Sequence, residues 1–144
     1  MGRMKIKYKV WDKEKSRWFK PTYKGYLGEI EELSLLPNGS LMMRNINETI
    51  HDSCFPDRFE TVMYTGEKDV HGNEIYEGDI VYQEFYDHRV ETAHGLTGVV
   101  KQEEGVWWID NEVDDAVRLW SELNLNHIKG NVFENPELLQ GGNK

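Results

Sequence analysis

Four cations alternate at the start of the chain: Arg3, Lys5, Lys7 and Lys9. Ile6, Tyr8 and Val10 stand between them, so the segment reads as a strand with one basic and one apolar face. Same-face residues on a strand lie about 6.5–7 Å apart, a spacing at which ammonium groups can follow a phosphate backbone. Trp11 and Trp18 follow, with Phe19 and Tyr23, and aromatic rings are the stacking platforms of single-strand nucleic-acid binders. The same row has two other uses. Lysines on an edge strand keep it from pairing with a foreign sheet, and they attract an acidic protein surface. Charge favours these two. Residues 1–25 hold nine Lys and Arg against two acids, whereas residues 26–144 hold eight against twenty-four. A nucleic acid approaching the row would meet a repulsive body. The expected partner is an acidic protein or a second copy of the chain, with nucleic-acid binding as the alternative.

Other reactive residue types occur without the company that catalysis needs. Glu77 and Asp79 are spaced i, i+2 and would share one face of a strand. Acid–base work requires environments that split their pKa values, whereas beside Gly78 an aspartate more naturally accepts turn amides. Asp69-Val70-His71-Gly72-Asn73-Glu74 lacks the alternating oxygen ligands and the twelfth-position glutamate of a calcium loop, and reads as a tight turn. His88 and His94 flank Glu91, a weak metal-site candidate, and no histidine pair has zincin or zinc-finger spacing. Cys54 is the only cysteine, with His51 as the nearest base in sequence, and it reads as a small structural residue before Phe55-Pro56. No nucleophile elbow, phosphate loop or dinucleotide fingerprint occurs. The expectation is a protein that is not an enzyme and takes no cofactor or metal.

These residues must be held by strands. Arg17-Trp18-Phe19 reads as the partner of the first strand. Leu33–Leu36, Pro37-Asn38-Gly39 and Ser40–Met43 spell a hairpin, because proline pre-sets φ while Asn and Gly accept a positive one. Residues 47–57 read as a loop and Phe59 to Tyr64 as a short strand. A strand follows Gly78, and His88 to Thr97 reads as an exposed loop. Val99-Val100 and Val106-Trp107-Trp108-Ile109 flank a second hairpin turn, with one tryptophan on each face. Asp114-Asp115 reads as the cap of a short helix carrying Val117, Trp120 and Leu123. Asn135-Pro136 opens one helical turn ending near Leu139.

Three stretches carry a family resemblance. The first runs Ile6-Lys7-Tyr8-Lys9-Val10-Trp11-Asp12. The second runs from Tyr64-Thr65-Gly66-Glu67-Lys68-Asp69 through His71-Gly72-Asn73 to Glu77-Gly78-Asp79-Ile80-Val81. The third is Ile128-Lys129-Gly130-Asn131-Val132-Phe133-Glu134-Asn135-Pro136-Glu137-Leu138-Leu139. Together they resemble the YopX family of phage and prophage proteins. That resemblance implies a phage or prophage origin and supplies no catalytic residues. Within the second stretch, Gly66, Asp69, Gly72, Gly78 and Asp79 form the structural turn motif.

The expected fold is mainly β, a single domain over 144 residues with little helix. An N-terminal hairpin sheet (residues 1–64) would pack on a C-terminal small SH3-like barrel or curled sheet (residues 74–139), ending in a short helical turn. A chain of this length can bury roughly 68–70% of its unfolded surface, so it needs neither disulfide nor metal to fold. No apolar run nears the roughly 20 residues that span a membrane, and the start lacks the apolar core of a signal peptide. The host-cell cytoplasm is the expected location.

Overall fold

The computed structural model describes residues 7–24, 29–85 and 94–140. Among these, thirteen strands precede one helical turn, and the fold is mainly β as expected. The chain forms two compact units. One is Lys9–Thr61. The other joins the start of the chain through Tyr8 to Val62–Lys144.

In the unit Lys9–Thr61, β1 (Tyr8–Asp12) turns into β2 (Arg17–Trp18) with Trp11 opposite Trp18. Asp12 shapes that turn: its Oδ1 accepts the Glu14 and Lys15 amides at 3.0 and 3.2 Å. A second sheet runs β3 (Thr22–Lys24), β4 (Glu29–Leu35), β5 (Leu41–Asn45), β6 (Thr49–His51), antiparallel throughout. The β4–β5 hairpin closes through Pro37-Asn38-Gly39, with Leu35 opposite Leu41 and Gly39 at φ +90°. Residues 47–57 are not wholly loop. They hold β6 and a 3-10 turn, Asp52–Cys54, whose polar residues act as caps: His51 Nδ1 accepts the Ser53 amide and Asp52 Oδ2 accepts the Leu41 amide at 2.9 Å.

In the other unit, β7 (Phe59–Lys68), which begins before Val62, runs beyond the expected Tyr64 because a bulge at Gly66 lets it re-pair. Tyr64 lies opposite Tyr76 and Lys68 opposite Glu74 in β8 (Glu74–Tyr76). A five-stranded antiparallel sheet follows in the order β12 (Ala116–Arg118), β11 (Val106–Asp110), β10 (His94–Glu103), β9 (Asp79–Phe85), β13 (Leu125–Asn131). Period-two alternation sends Val81, Val100 and Ile109 to one face, where they join Ile75 and Leu119, all at 0% exposure. Leu96, Trp107, Val117 and Ile128 pack against this cluster. Trp108 points to the opposite face beneath the Arg118 guanidinium, 5.8 Å from its ring centre. The Glu104-Gly105 turn has positive φ at both residues (52° and 78°), the two-residue geometry that matches strand twist.

Two expectations fail here, each for a contact distant in sequence. His94 to Thr97 belongs to β10, because Gly95 lets that strand lie against the Gln83 carbonyl, which would stand 2.1 Å from an added Cβ. No helix follows Asp114-Asp115. Asn111 Oδ1 takes the amides of Val113, Asp114 and Asp115, and Val117 pairs opposite Ile109 as β12. At the end of the chain, Asn135-Pro136 does open the helical turn α1 (Glu137–Gln140), as its capping residues require.

The sheet curls until its edges are bridged by side chains. Gln83, 1% exposed, donates its amide to the Arg118 carbonyl at 2.9 Å and to Asn126 Oδ1 at 3.0 Å. Asn126 in turn donates to the Leu119 carbonyl at 2.8 Å, and Asn124 to Gln83 Oε1 at 3.2 Å. Gln83→Ala leaves these buried groups unpaired and opens a void. It is expected to lower the unfolding free energy by about 2–4 kcal/mol, read from urea denaturation. A loss under about 0.5 kcal/mol would mean that the clasp contributes little.

Candidate functional site

Arg3 and Lys5 of the basic row lie outside the described residues. Lys7 is engaged within its unit: its Nζ donates to Glu74 Oε2 at 2.6 Å and lies 5.5 Å from the Tyr64 ring centre. The hydrogen bond to Glu74 and then the Glu74 charge raise the Lys7 pKa, and the same hydrogen bond holds Glu74 below its ordinary value. Lys9, in the other unit, sits over the Trp18 ring at 4.3 Å. Trp18 meets Trp11 edge-on at 5.1 Å, and Trp11 is buried. Phe19 packs edge-on against Phe59 at 6.3 Å, while the exposed Tyr23 donates its hydroxyl to Glu32 at 3.0 Å. Of the four rings seen in sequence as stacking surfaces, two are thus tied into packing and a third carries a lysine.

Asp12, at the end of this row, is a buried anchor. Arg58 grips both its oxygens, Nε to Oδ1 at 3.3 Å and Nη2 to Oδ2 at 3.1 Å. Burial pushes the Asp12 pKa up, but the Arg58 hydrogen bonds and charge with the Lys15 and Glu14 amides hold it below the ordinary value. The guanidinium also lies 4.7 Å from the Phe59 ring centre.

The turn motif is built the same way. Asp69, 7% exposed, accepts the His71 and Asn73 amides, each at 2.9 Å, on one oxygen. Its other oxygen faces the Ile128 amide at 3.4 Å, and the Val70 amide bonds to the Asn126 carbonyl. Gly72 turns with φ +82°. Asp79 Oδ2 accepts the Tyr76 amide at 2.8 Å, a contact that serves the turn. Gly78 turns with φ +86°, a backbone conformation that side-chain-bearing residues rarely adopt, and a Cβ there would crowd the Phe133 ring at 3.3 Å. The Val132 amide bonds to the Gly78 carbonyl.

Sequence reading passed over two constellations. Around His51, Nε2 lies 3.2 Å from Ser40 Oγ and Nδ1 lies 3.4 Å from Asp52 Oδ1, an outline like a Ser-His-Asp triad. The hydrogens run the wrong way for catalysis. Nδ1 accepts the Ser53 backbone amide at 3.1 Å, which leaves the proton on Nε2, the atom that would have to receive the serine proton. The group is a cap, and His51 is occupied there rather than serving the exposed Cys54.

The second constellation follows β12. A recess of about 330 Å³ is lined by Phe85, Val117, Arg118, Trp120, Ser121 and Asn124, with Gln83 at its floor. Trp120 stands 59% exposed on its rim, with Leu123 at 66% and Leu125 at 47% beyond. The helix expected here hid this patch, because it would have turned Trp120 inward. A neighbouring acidic loop, Asp110 to Ala116, is organised by Asn111, and Lys101 pairs with Glu112. His88 and Glu91 of the metal-site candidate lie outside the described residues. Among the described residues, no helix is long and apolar enough to cross a membrane.

Fold and site together define a mainly β protein with a curled five-stranded sheet and an exposed aromatic patch. A family model described as YopX protein matches residues 7–140, and the chain belongs to the YopX family. It is similar to the crystal structure of the YopX protein from Bacillus subtilis, at 22% identity and TM-score 0.56 over 92% of this chain and 94% of that one. It is also similar to the crystal structure of an Enterococcus faecalis protein, at 18% identity and TM-score 0.51 over 95% and 99%. No curated protein matches the sequence.

Asp12 and Asp69 make stability acid-sensitive. Their folded pKa values are lowered, so their contribution is complete above the unfolded carboxylate pKa of about 3.9 and lost as pH falls through the folded values. Urea unfolding between pH 6 and 2 should therefore show a decline beginning below about pH 4. Asp69→Asn should shallow that decline. An unchanged slope would show that the Asp69 charge is not what the turn amides hold.

Proposed function

We propose that this chain is a phage or prophage accessory protein that catalyses no reaction and works in the host cytoplasm by binding protein surfaces, first among them a second copy of itself. The observation that carries this reading is the exposed apolar run after β12, Trp120, Leu123 and Leu125. Exposed aromatic residues grouped with aliphatic ones mark interaction surfaces, and tryptophan is enriched among the residues that dominate binding energy. The groups that look reactive in sequence favour the same reading. Asp79 accepts a turn amide, and His51, the base nearest Cys54 in sequence, accepts the Ser53 amide on Nδ1. Nucleic-acid binding through the basic row is the weaker reading, since Lys7 already meets Glu74 and Lys9 lies over Trp18.

Sedimentation velocity over a hundredfold concentration range should show a dimer or larger species, which Trp120→Ala should dissociate. A monomer throughout would refute self-association. Gel shifts with single- and double-stranded DNA and RNA at low salt should show no complex. A complex whose log affinity falls by about 0.7–0.9 per neutralised phosphate for each log unit of salt would replace the protein-contact reading with the nucleic-acid one.

A further inference from the structure

We infer that His71 and His127 together bind a divalent late transition-metal ion, Zn²⁺, Ni²⁺ or Cu²⁺, which fastens the turn over residues 69–73 to β13. The two histidines are far apart in the chain, and the fold sets their rings edge to face with centres 6.4 Å apart. Backbone contacts keep them there. The Val70 amide donates to the Asn126 carbonyl at 3.0 Å, so the two histidines are the next residues along from a hydrogen-bonded pair. Asp69 Oδ1 accepts the His71 amide at 2.9 Å, and Oδ2 of the same carboxylate faces the Ile128 amide at 3.4 Å.

The His127 ring has a second neighbour. It lies opposite Tyr82 on β9, with the two ring centres 6.1 Å apart. Tyr82 in turn lies over Gly95, where an added Cβ would stand 2.9 Å from the tyrosine ring. A pinned tyrosine beside His127 restricts the imidazole, while His71 is exposed. Among the described residues, neither imidazole has a hydrogen-bond or ion-pair partner. Both rings therefore keep their nitrogens for another ligand.

A neutral imidazole offers a metal the lone pair of one ring nitrogen. Two imidazoles on one tetrahedral ion, with metal–nitrogen bonds of about 2.0–2.1 Å, place their ring centres about 5 Å apart. The pair must close by roughly 1–1.5 Å, which rotation of the exposed His71 side chain about its own torsions supplies. The donor set then selects the ion. Imidazole nitrogen suits Zn²⁺, Ni²⁺ and Cu²⁺, whereas Ca²⁺ and Mg²⁺ require oxygen ligands. Asp69, the carboxylate of this turn, has its oxygens engaged by the His71, Asn73 and Ile128 amides. Among the described residues, no group of three or more His, Cys, Asp or Glu gathers as a metal cage. Two histidines are therefore the protein's ligands, and water completes the coordination. The net charge of −9 favours the approach of a cation. Bound there, the ion ties the second family stretch to the strand in which the third begins.

The test is isothermal titration calorimetry of the full, untagged chain, freed of metal by a chelator, with zinc, nickel and copper(II) chloride. Each salt should show binding, and magnesium and calcium chloride should show none at the same concentrations. His71→Ala and His127→Ala should each weaken zinc binding at least about tenfold. Replacing His88 and His94 by alanine, the pair that flanks Glu91, should leave that binding within about twofold. Hydrogen exchange reads the fastening of the turn. Zinc should slow exchange of the Val70 and Ile128 amides at least about threefold in the wild type and not in His71→Ala. No binding of the three ions, or binding that His71→Ala leaves unchanged, would overturn the site. Binding that needs His71 but leaves exchange unchanged would overturn the fastening. Should His127→Ala unfold through loss of its contact with Tyr82, His71→Ala on the exposed turn decides by itself.

Discussion

Gln83 shares the core face of β9 with Val81, yet its side chain is directed to carbonyls and amides at the far edge of the same sheet. A curled five-stranded sheet must deal with the unpaired backbone of its outer strands. Here the gap between β12 and the β9–β13 pair is closed by an amide network rather than by a ladder. An unsatisfied buried amide is expensive, so Gln83, Asn124 and Asn126 hold one another in a single arrangement. That arrangement fixes Leu119 in the core and leaves Trp120 outside. It also occupies the carbonyl through which β12 would otherwise invite another strand.

Buried carboxylates do comparable work at the turns. Asp12, Asp69 and Asp79 each accept backbone amides that a reversing chain leaves without ladder partners. The stretches that carry the family resemblance meet through such contacts in the unit that begins again at Val62. The Tyr64 amide bonds to the Lys7 carbonyl, Asp69 reaches the Ile128 amide, and Val132 bonds to Gly78. Segments far apart in the chain are thus one junction in space, and the YopX signature describes a way of building that junction.

This use of charge changes which surface matters. The basic row draws the eye in sequence, but Lys7 and Lys9 have an acid and an indole ring beside them inside the fold. The acidic excess is partly used locally as well, since Asp110 accepts the Glu112 amide and Asp115 the Ala116 amide within their own loop. The exposed apolar run at Trp120, Leu123 and Leu125 follows the fully buried Leu119 in the chain.

What could be read from the chain was whatever its neighbours in sequence decide. The strand through Tyr8 to Val10 and the Pro37-Asn38-Gly39 turn are set within a few residues, as are the split of Trp107 and Trp108 between faces and the Asn135-Pro136 helix start. All four stand in the structure. The mainly β class follows from them. Asp69 and Asp79 as turn acceptors were legible for the same reason. Elsewhere the deciding partner is remote. Val117 joins a strand because Ile109 is beside it, His94 to Thr97 do so because Gly95 admits the Gln83 carbonyl, and Gln83 itself gives no sign in sequence of the carbonyls it will hold. Hydrophobic period and turn chemistry are local energies and are written in order along the chain. The partner of a charge, the closure of a sheet and the exposure of one tryptophan are set by contacts across many residues, and the folded structure alone decides them.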